Sequence, residues 1–380
     1  MSGIGKTLVF IALIGIGFLL KKKFSSPDQL RGIKILILNV ALPATIFIAL
    51  LKVEVAPHLL ILPVLALFAN LLLFLGGMLL LKTLGIEKKS TNYRTLLLLI
   101  PSFAPGLSCF PFLTEYLSEE SLAMAAMADV GNKVFVLVIL YLVAMHWYYK
   151  IALTDKSKVS TTKRVKELLL TMLKEPINFV LIFGILLLSV GLNLSALPSF
   201  LQDTIARLGT MMTPLVLIFI GLAVKLRQQN NGLLLQVLFC RAGLAFMISG
   251  LLLLILPTSI ASATAILIVI FPQSACSFWP FAHMTAVQSL EGEGQQEPTF
   301  STDLGLNLLA FSLPFSTVVI LSICTIGASV AAPLPLLGLA AIFLLIGLSP
   351  TLFKRIKNWN IASDNNLITT EERLVERQSV

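Results

Sequence analysis

Residues 96–113 read LLLLIPSFAPGLSCFPFL. The run is apolar and, at 18 residues, long enough to cross a hydrocarbon layer of ~30 Å as a helix. It also holds Pro101, Pro105 and Pro111. Each proline removes a backbone donor and obstructs the carbonyl one turn earlier, so a helix carrying three of them unwinds in its middle. Residues 265–282, AILIVIFPQSACSFWPFA, repeat the pattern with Pro272 and Pro280. Ser108-Cys109-Phe110-Pro111-Phe112 aligns with Ser277-Phe278-Trp279-Pro280-Phe281 at an offset of 169. Unwound backbone inside a bilayer is tolerated only where protein or a water-filled cavity surrounds it. Matched breaks therefore point to a midplane site. The competing reading is that these prolines only kink packed helices.

The rest of the chain has the same character. It has 380 residues, 57% apolar and only 12% charged, about half the charge of a soluble protein. The net charge of +9 is no nucleic-acid signal, because Lys and Arg cluster in loops between apolar runs. Eleven spans are expected: Ile4–Leu20, Ile33–Leu51, Leu59–Leu81, Tyr93–Tyr116, Leu122–Trp147, Ile177–Leu192, Ile205–Val224, Leu233–Leu256, Ala261–Leu290, Phe300–Ile326 and Leu334–Phe353. The basic cluster Lys21-Lys22-Lys23 follows the first apolar run and no small-residue cleavage site succeeds it, so that run reads as a spanning helix, not a signal peptide. Basic loops alternate with poorly charged ones, which puts the N-terminus outside and the C-terminus in the cytoplasm of a multi-pass cell-membrane protein. The acidic loop with Glu291, Glu293 and Glu297 is the one dissenter, and acidic residues count little in that rule. Within 151–175, Val165, Leu168, Leu169, Met172 and Leu173 keep helical spacing, which predicts an amphipathic surface helix. The tail from Lys354 is polar, with a disordered composition.

Further matches join the two halves. Ile14-Gly15-Ile16 pairs with Phe183-Gly184-Ile185, Leu42-Pro43 with Thr213-Pro214, and Asp129-Val130-Gly131-Asn132 with the run from Asp303 to Asn307. The order is kept and the offsets stay between 169 and 174. Five helices per half is an odd number, so the second half is inverted, a transporter pattern. The expected division is a first repeat over 1–150, a cytoplasmic linker over 151–175, a second repeat over 176–328, an additional helix over 329–353 and a tail over 354–380.

Substrate contacts are expected at Pro105, Gly106, Ser108 and Pro111 in the fourth span, and at Pro272, Gln273, Ser274, Ser277 and Pro280 in the ninth. Half-helix N-termini at such breaks present free N–H groups and suit an anion. Asp129 and Lys133 share a face of the fifth span, roughly 10–17 Å deep. Ionisable groups at that depth usually tune charge or coupling; a neutral packing pair is the alternative. Asn132 lies beside them. Arg241 in the eighth span reads equally as a substrate or coupling contact and as a structural partner of Asp303 or Asp129. Asn39, Asn70 and Asn307 read as helix glue, and His283 as a packing residue. Cys109, Cys240, Cys276 and Cys324 lie in apolar runs without metal-ligand spacing and read as small buried hydrophobes. No nucleotide loop, HExxH or GxSxG motif occurs, which argues against an enzyme and against ATP-driven transport.

The runs IGFLLKKK, LNVALPATIF, EPINFVLIFGILLLSVGLNL and LGTMMTPLVLIFIGLAV, with the proline-broken fourth span, resemble the auxin efflux carrier family of permeases, which includes plant PIN carriers and bacterial malate or malonate permeases. The resemblance covers roughly residues 1–328. It implies ten helices in two inverted repeats, with broken fourth and ninth helices crossing at the substrate site. By position the crossovers fall at Ala104–Pro111 and Pro272–Pro280. Many bacterial relatives carry Asn-Thr-Gly where this chain has Ala104-Pro105-Gly106, and the eleventh helix exceeds the family's ten. The expected fold is thus an all-α polytopic membrane protein of two inverted five-helix repeats plus one additional C-terminal transmembrane helix. The expected function is alternating-access transport of a small organic anion, a carboxylate. A bile acid:sodium symporter-like carrier and a non-transporting ligand sensor are the alternatives. The expected partners are the anion and the lipid bilayer, with a homodimer compatible and nucleic acid not expected. No cofactor is expected; a coupling ion would be a proton or sodium.

Overall fold

The computed structural model describes residues 3–24, 26–51, 61–152, 170, 176–190, 192–223, 231–255, 262–291 and 297–353. The amphipathic segment expected within 151–175, Glu293 and the tail from Lys354 lie outside the described residues. No strand occurs among the described residues. Apolar helices stand where the sequence places them: α1 (Gly3–Leu20), α2 (Asp28–Leu51), α3 (Leu62–Thr83), α4 in pieces from Thr91 to Tyr116, α5 (Glu119–Ile151), α6 (Pro176–Ser189), α7 (Ser199–Ala223), α8 (Gly232–Ile255), α9 in pieces from Ser262 to Gln288, α10 (Thr302–Ile326) and α11 (Pro333–Phe353). Eight of the described helices are long and apolar enough to cross a membrane, with α9 counted through its break. Helices α1 and α6 are shorter and α4 is broken. The protein is therefore a polytopic helical membrane protein, with lipid as its surroundings.

Local chemistry sets the helix starts. Ser26 and Gln29 form a reciprocal cap at the head of α2, with Pro27 in the first turn, so the helix begins well before Ile33. Ser118 caps α5 with Glu119 and Glu120 in the first turn, where acidic groups complement the helix dipole. Both α2 and α5 widen into one π-helical turn, at Ile37–Ala41 and Phe135–Ile139.

Packing in lipid depends on close backbone approach, since burial of apolar area between helices gains little there. Helix α1 crosses the second half of α7 at a pair of glycines. A Cβ at Gly17 would overlap the carbonyl of Ile218, and one at Gly221 would overlap the carbonyl of Ile14. Gly221→Leu should therefore separate α1 from α7, at a cost of about 3 kcal/mol. Chemical unfolding in detergent micelles measures it, and unchanged stability would refute the crossing. Helix α5 meets α3 in the same way, with Gly131 against the carbonyl of Pro63. Helix α11 lies on α8, its Phe343 ring 5.5 Å from Phe239 and 5.2 Å from Phe246. The four cysteines are free and buried.

Candidate functional site

The main-chain polar groups of residues 100–104, where α4 breaks, are all hydrogen-bonded. Its first piece, Thr91–Leu99, stops before Pro101, which has no N–H to give the preceding turn. Pro105 drives Ala104 out of the helical region, to φ −125° and ψ 67°. A single turn, Pro105–Ser108, and a last piece, Phe110–Tyr116, follow. The unwound stretch is thus residues 100–104, ahead of the expected Ala104–Pro111. Pro105 and Pro111 start helical pieces, as prolines in a first turn do.

The freed groups of residues 100–104 find partners on four other helices, on three of them through side chains. Arg241 of α8 donates through Nε to the Ile100 carbonyl (2.8 Å) and through Nη2 to that of Ser102 (2.9 Å). Asn70 of α3 donates to the Pro101 carbonyl. Asn132 of α5 takes both groups of Phe103: its Oδ1 accepts from the N–H (3.2 Å) and its Nδ2 donates to the carbonyl (2.9 Å). Asn132 also accepts from Asn70 (3.1 Å) and donates to Asp129 Oδ1 (2.8 Å). The Ala104 carbonyl accepts from Ser108 Oγ at 2.8 Å.

Helix α9 breaks opposite. Its first piece, Ser262–Ile270, tightens to a 3₁₀ turn at Phe271–Gln273, and Phe278–Gln288 resumes the helix under a Ser277 cap. The extended residues between them cross residues 100–104. The Ala104 N–H donates to the Ala275 carbonyl (2.8 Å), the Ala275 N–H to Ser108 Oγ (2.9 Å) and the Ser277 N–H to Ser102 Oγ (3.0 Å). Ser312 of α10 accepts from the Cys276 N–H at 3.2 Å. One break is held by long amide and guanidinium side chains, the other by serine hydroxyls.

A cavity of about 530 Å³ adjoins this crossing. Phe103 to Leu107 and Ala275 to Trp279 form part of its wall, with α2, α5, α7, α10 and the head of α6. The charged side chains among its described lining residues are Lys34, Asp129 and Lys133. Asp129 Oδ2 lies 3.4 Å from Lys133 Nζ, and both side chains are under a tenth exposed. Lys34 sits over the Phe278 ring, Nζ 5.0 Å from its centroid.

No protein-family model and no curated protein matches this chain.

Of the residues expected from the sequence, Pro105, Gly106, Ser277, Asp129, Asn132 and Lys133 line the cavity. Ser108 and Ser274 are occupied by the backbone of the breaks, and Gln273 donates to the Ala242 carbonyl at 3.0 Å. Pro111, Pro272 and Pro280 shape the pieces. Arg241 is buried, has no carboxylate within 4.0 Å among the described residues, and stands away from the lining. Its charge meets the negative end of the first α4 piece and the face of Phe103, 5.7 Å away. Arg241→Met should leave two buried carbonyls unpaired and cost about 2–3 kcal/mol. Thermal unfolding in detergent tests this; a variant with native stability that fails to bind anions would make the guanidinium a ligand contact instead.

Asn70 joins α3 to α4 and α5 as helix glue, whereas Asn39 is exposed and lines the cavity. His283 packs edge-on to Tyr141 and bonds the Val136 carbonyl, in the π turn of α5, at 2.9 Å. Lys34, Phe278, Trp279, Ser102 and Ser312 were not expected at the site. For Lys34 a signal exists: the Ser26–Gln29 cap starts the helix early enough to place it a full two turns inside.

Proposed function

We propose that this protein is a secondary carrier that moves a small organic anion across the membrane by alternating access. The observation that carries the reading is the joining of two proline-broken helices, main chain to main chain, at the wall of a cavity whose charged side chains, among its described lining residues, are two lysines and one aspartate. Unwound backbone at membrane depth is found where a substrate path runs. In this reading the chain is two inverted five-helix halves, α1–α5 and α6–α10, with α11 fastened to α8, and it is akin to the auxin efflux carriers. The N-terminus lies outside and the C-terminus in the cytoplasm. The cavity then opens toward the cytoplasm, because Lys34, Pro176 and Ala223 of its lining lie near helix ends on that side.

The anion is favoured over a cation by that charge excess and by the N-terminus of Phe278–Gln288, whose first residues face the cavity. Asp129 and Lys133 would hold the charge balance while the substrate enters and leaves. Reconstituted protein should carry labelled carboxylates into liposomes under a proton, sodium or voltage gradient. Absence of flux for every carboxylate and gradient would refute the carrier reading, and binding without flux would favour a sensor of the same fold.

A further inference from the structure

We infer that Lys34 is the specificity-determining residue of the cavity, and that it selects singly charged anions with an apolar body. This rests on the carrier reading above and goes beyond it by fixing the charge of the substrate and the group that reads it.

Lys34 and Lys133 against Asp129 leave one positive charge in excess among the described lining residues. Asp129 and Lys133 are one helical turn apart, buried, and paired at 3.4 Å. The aspartate is further held by Asn132 at 2.8 Å. Their charges cancel locally, and separating them in a low-dielectric surrounding is costly. Lys34 is different: among the described residues no carboxylate lies within 4.0 Å of it. Its ammonium instead lies over the ring of Phe278, the first residue of the half-helix that faces the cavity with its positive end. A π face offsets only part of an ammonium charge. Two positive features, a lysine head and a helix N-terminus, thus meet at one place with no carboxylate among the described residues within 4.0 Å of the ammonium.

Position supports the same reading. Lys34 stands about 10 Å along α2 from its capped start, at 1.5 Å per residue, and is half-buried. A lysine that merely snorkels would reach for the interface; this one lies against a residue of the broken helix. The remainder of the wall is largely apolar, with Phe103, Phe219 and Trp279 among it. Among the described lining residues, a second negative charge on a substrate would meet only Lys133, which already faces Asp129. A neutral analogue would leave Lys34 unmatched.

The test uses two sets of three probes with matched bodies: benzoate, benzamide and terephthalate; octanoate, octanamide and octanedioate. Binding to the full-length protein in nanodiscs is measured by calorimetry. The wild type should favour each monoanion over its amide by on the order of tenfold or more, the worth of one charge-assisted hydrogen bond, and over its dianion as well. Lys34→Met keeps the stem and removes the charge. It should erase the preference for monoanion over amide, weakening the monoanion far more than the amide; Lys34→Arg should retain the preference. Asp129→Asn removes the one carboxylate among the described lining residues and should move the preference toward the dianions. If Lys34→Met binds monoanions as the wild type does, or loses amide and anion equally, the assignment to Lys34 is overturned while the carrier reading stands. If the wild type binds none of the six probes, the Lys34 assignment falls, and the carrier reading is decided by the flux measurement.

Discussion

Asn132→Asp should unfold the crossing and abolish any flux through the protein. Asn132 is 1% exposed and uses its whole hydrogen-bonding capacity: two acceptances at Oδ1 and two donations at Nδ2. The substitution keeps the shape and exchanges the donor for an oxygen. That oxygen would face the Phe103 carbonyl and Asp129 Oδ1, which now stand 2.9 Å and 2.8 Å from Nδ2. Two favourable contacts become two repulsive ones, and a second carboxylate enters a buried site with a single paired lysine. Polar bonds within a bilayer are often worth less than 1 kcal/mol each, so simple deletion of the amide is the milder change. The added charge dominates, and the total cost should reach about 4 kcal/mol or more. Asn132→Leu should cost about 2 kcal/mol, from the orphaned groups of Phe103 alone. Chemical unfolding in detergent gives both values. An aspartate variant as stable as the leucine variant would show that charge plays no part there.

Gly131→Val should be nearly as damaging, for a steric reason. A Cβ at Gly131 would overlap the carbonyl of Pro63. That oxygen belongs to the first turn of α3, so it cannot yield without the helix. Two turns farther along, α3 carries Asn70, which bonds both Pro101 and Asn132. Displacing α3 therefore disturbs the support of the broken segment as well as the helix contact. A cost of about 3 kcal/mol or more is expected. Because both act through α3, Gly131→Val and Asn70→Ala should combine to less than their sum. A valine variant within about 0.5 kcal/mol of the wild type, by the same unfolding measurement, would show that α3 and α5 are not in contact at this point.

Much of the helical frame was legible in the sequence, because lipid demands long apolar runs and the loops interrupt them with charge. The two breaks were legible too, since a missing N–H is a property of proline itself. Their extent was less so. Proline acts differently at the end of a helical piece, as at Pro101, and at the start of one, as at Pro105 and Pro111. Only the neighbours decide between those roles. Arg241 shows the same limit: a buried guanidinium accepts carboxylates or carbonyls equally well as partners, and the carbonyls of Ile100 and Ser102 become available only once the fourth helix has opened. Lys34 was missed because a lysine near the head of a span ordinarily counts as a loop charge. The capping pair that carries the helix past it was in the sequence.

The bond from Ala104 to Ala275 runs from one main chain to another. Both positions are alanine already. A survey that trims side chains one at a time has nothing to remove at either place, and would score them as indifferent. The strand-like link between the two broken helices would register only when the backbone is altered, by an ester in place of the residue-104 amide. Tolerance at these two positions is what a joint without side chains looks like from the outside.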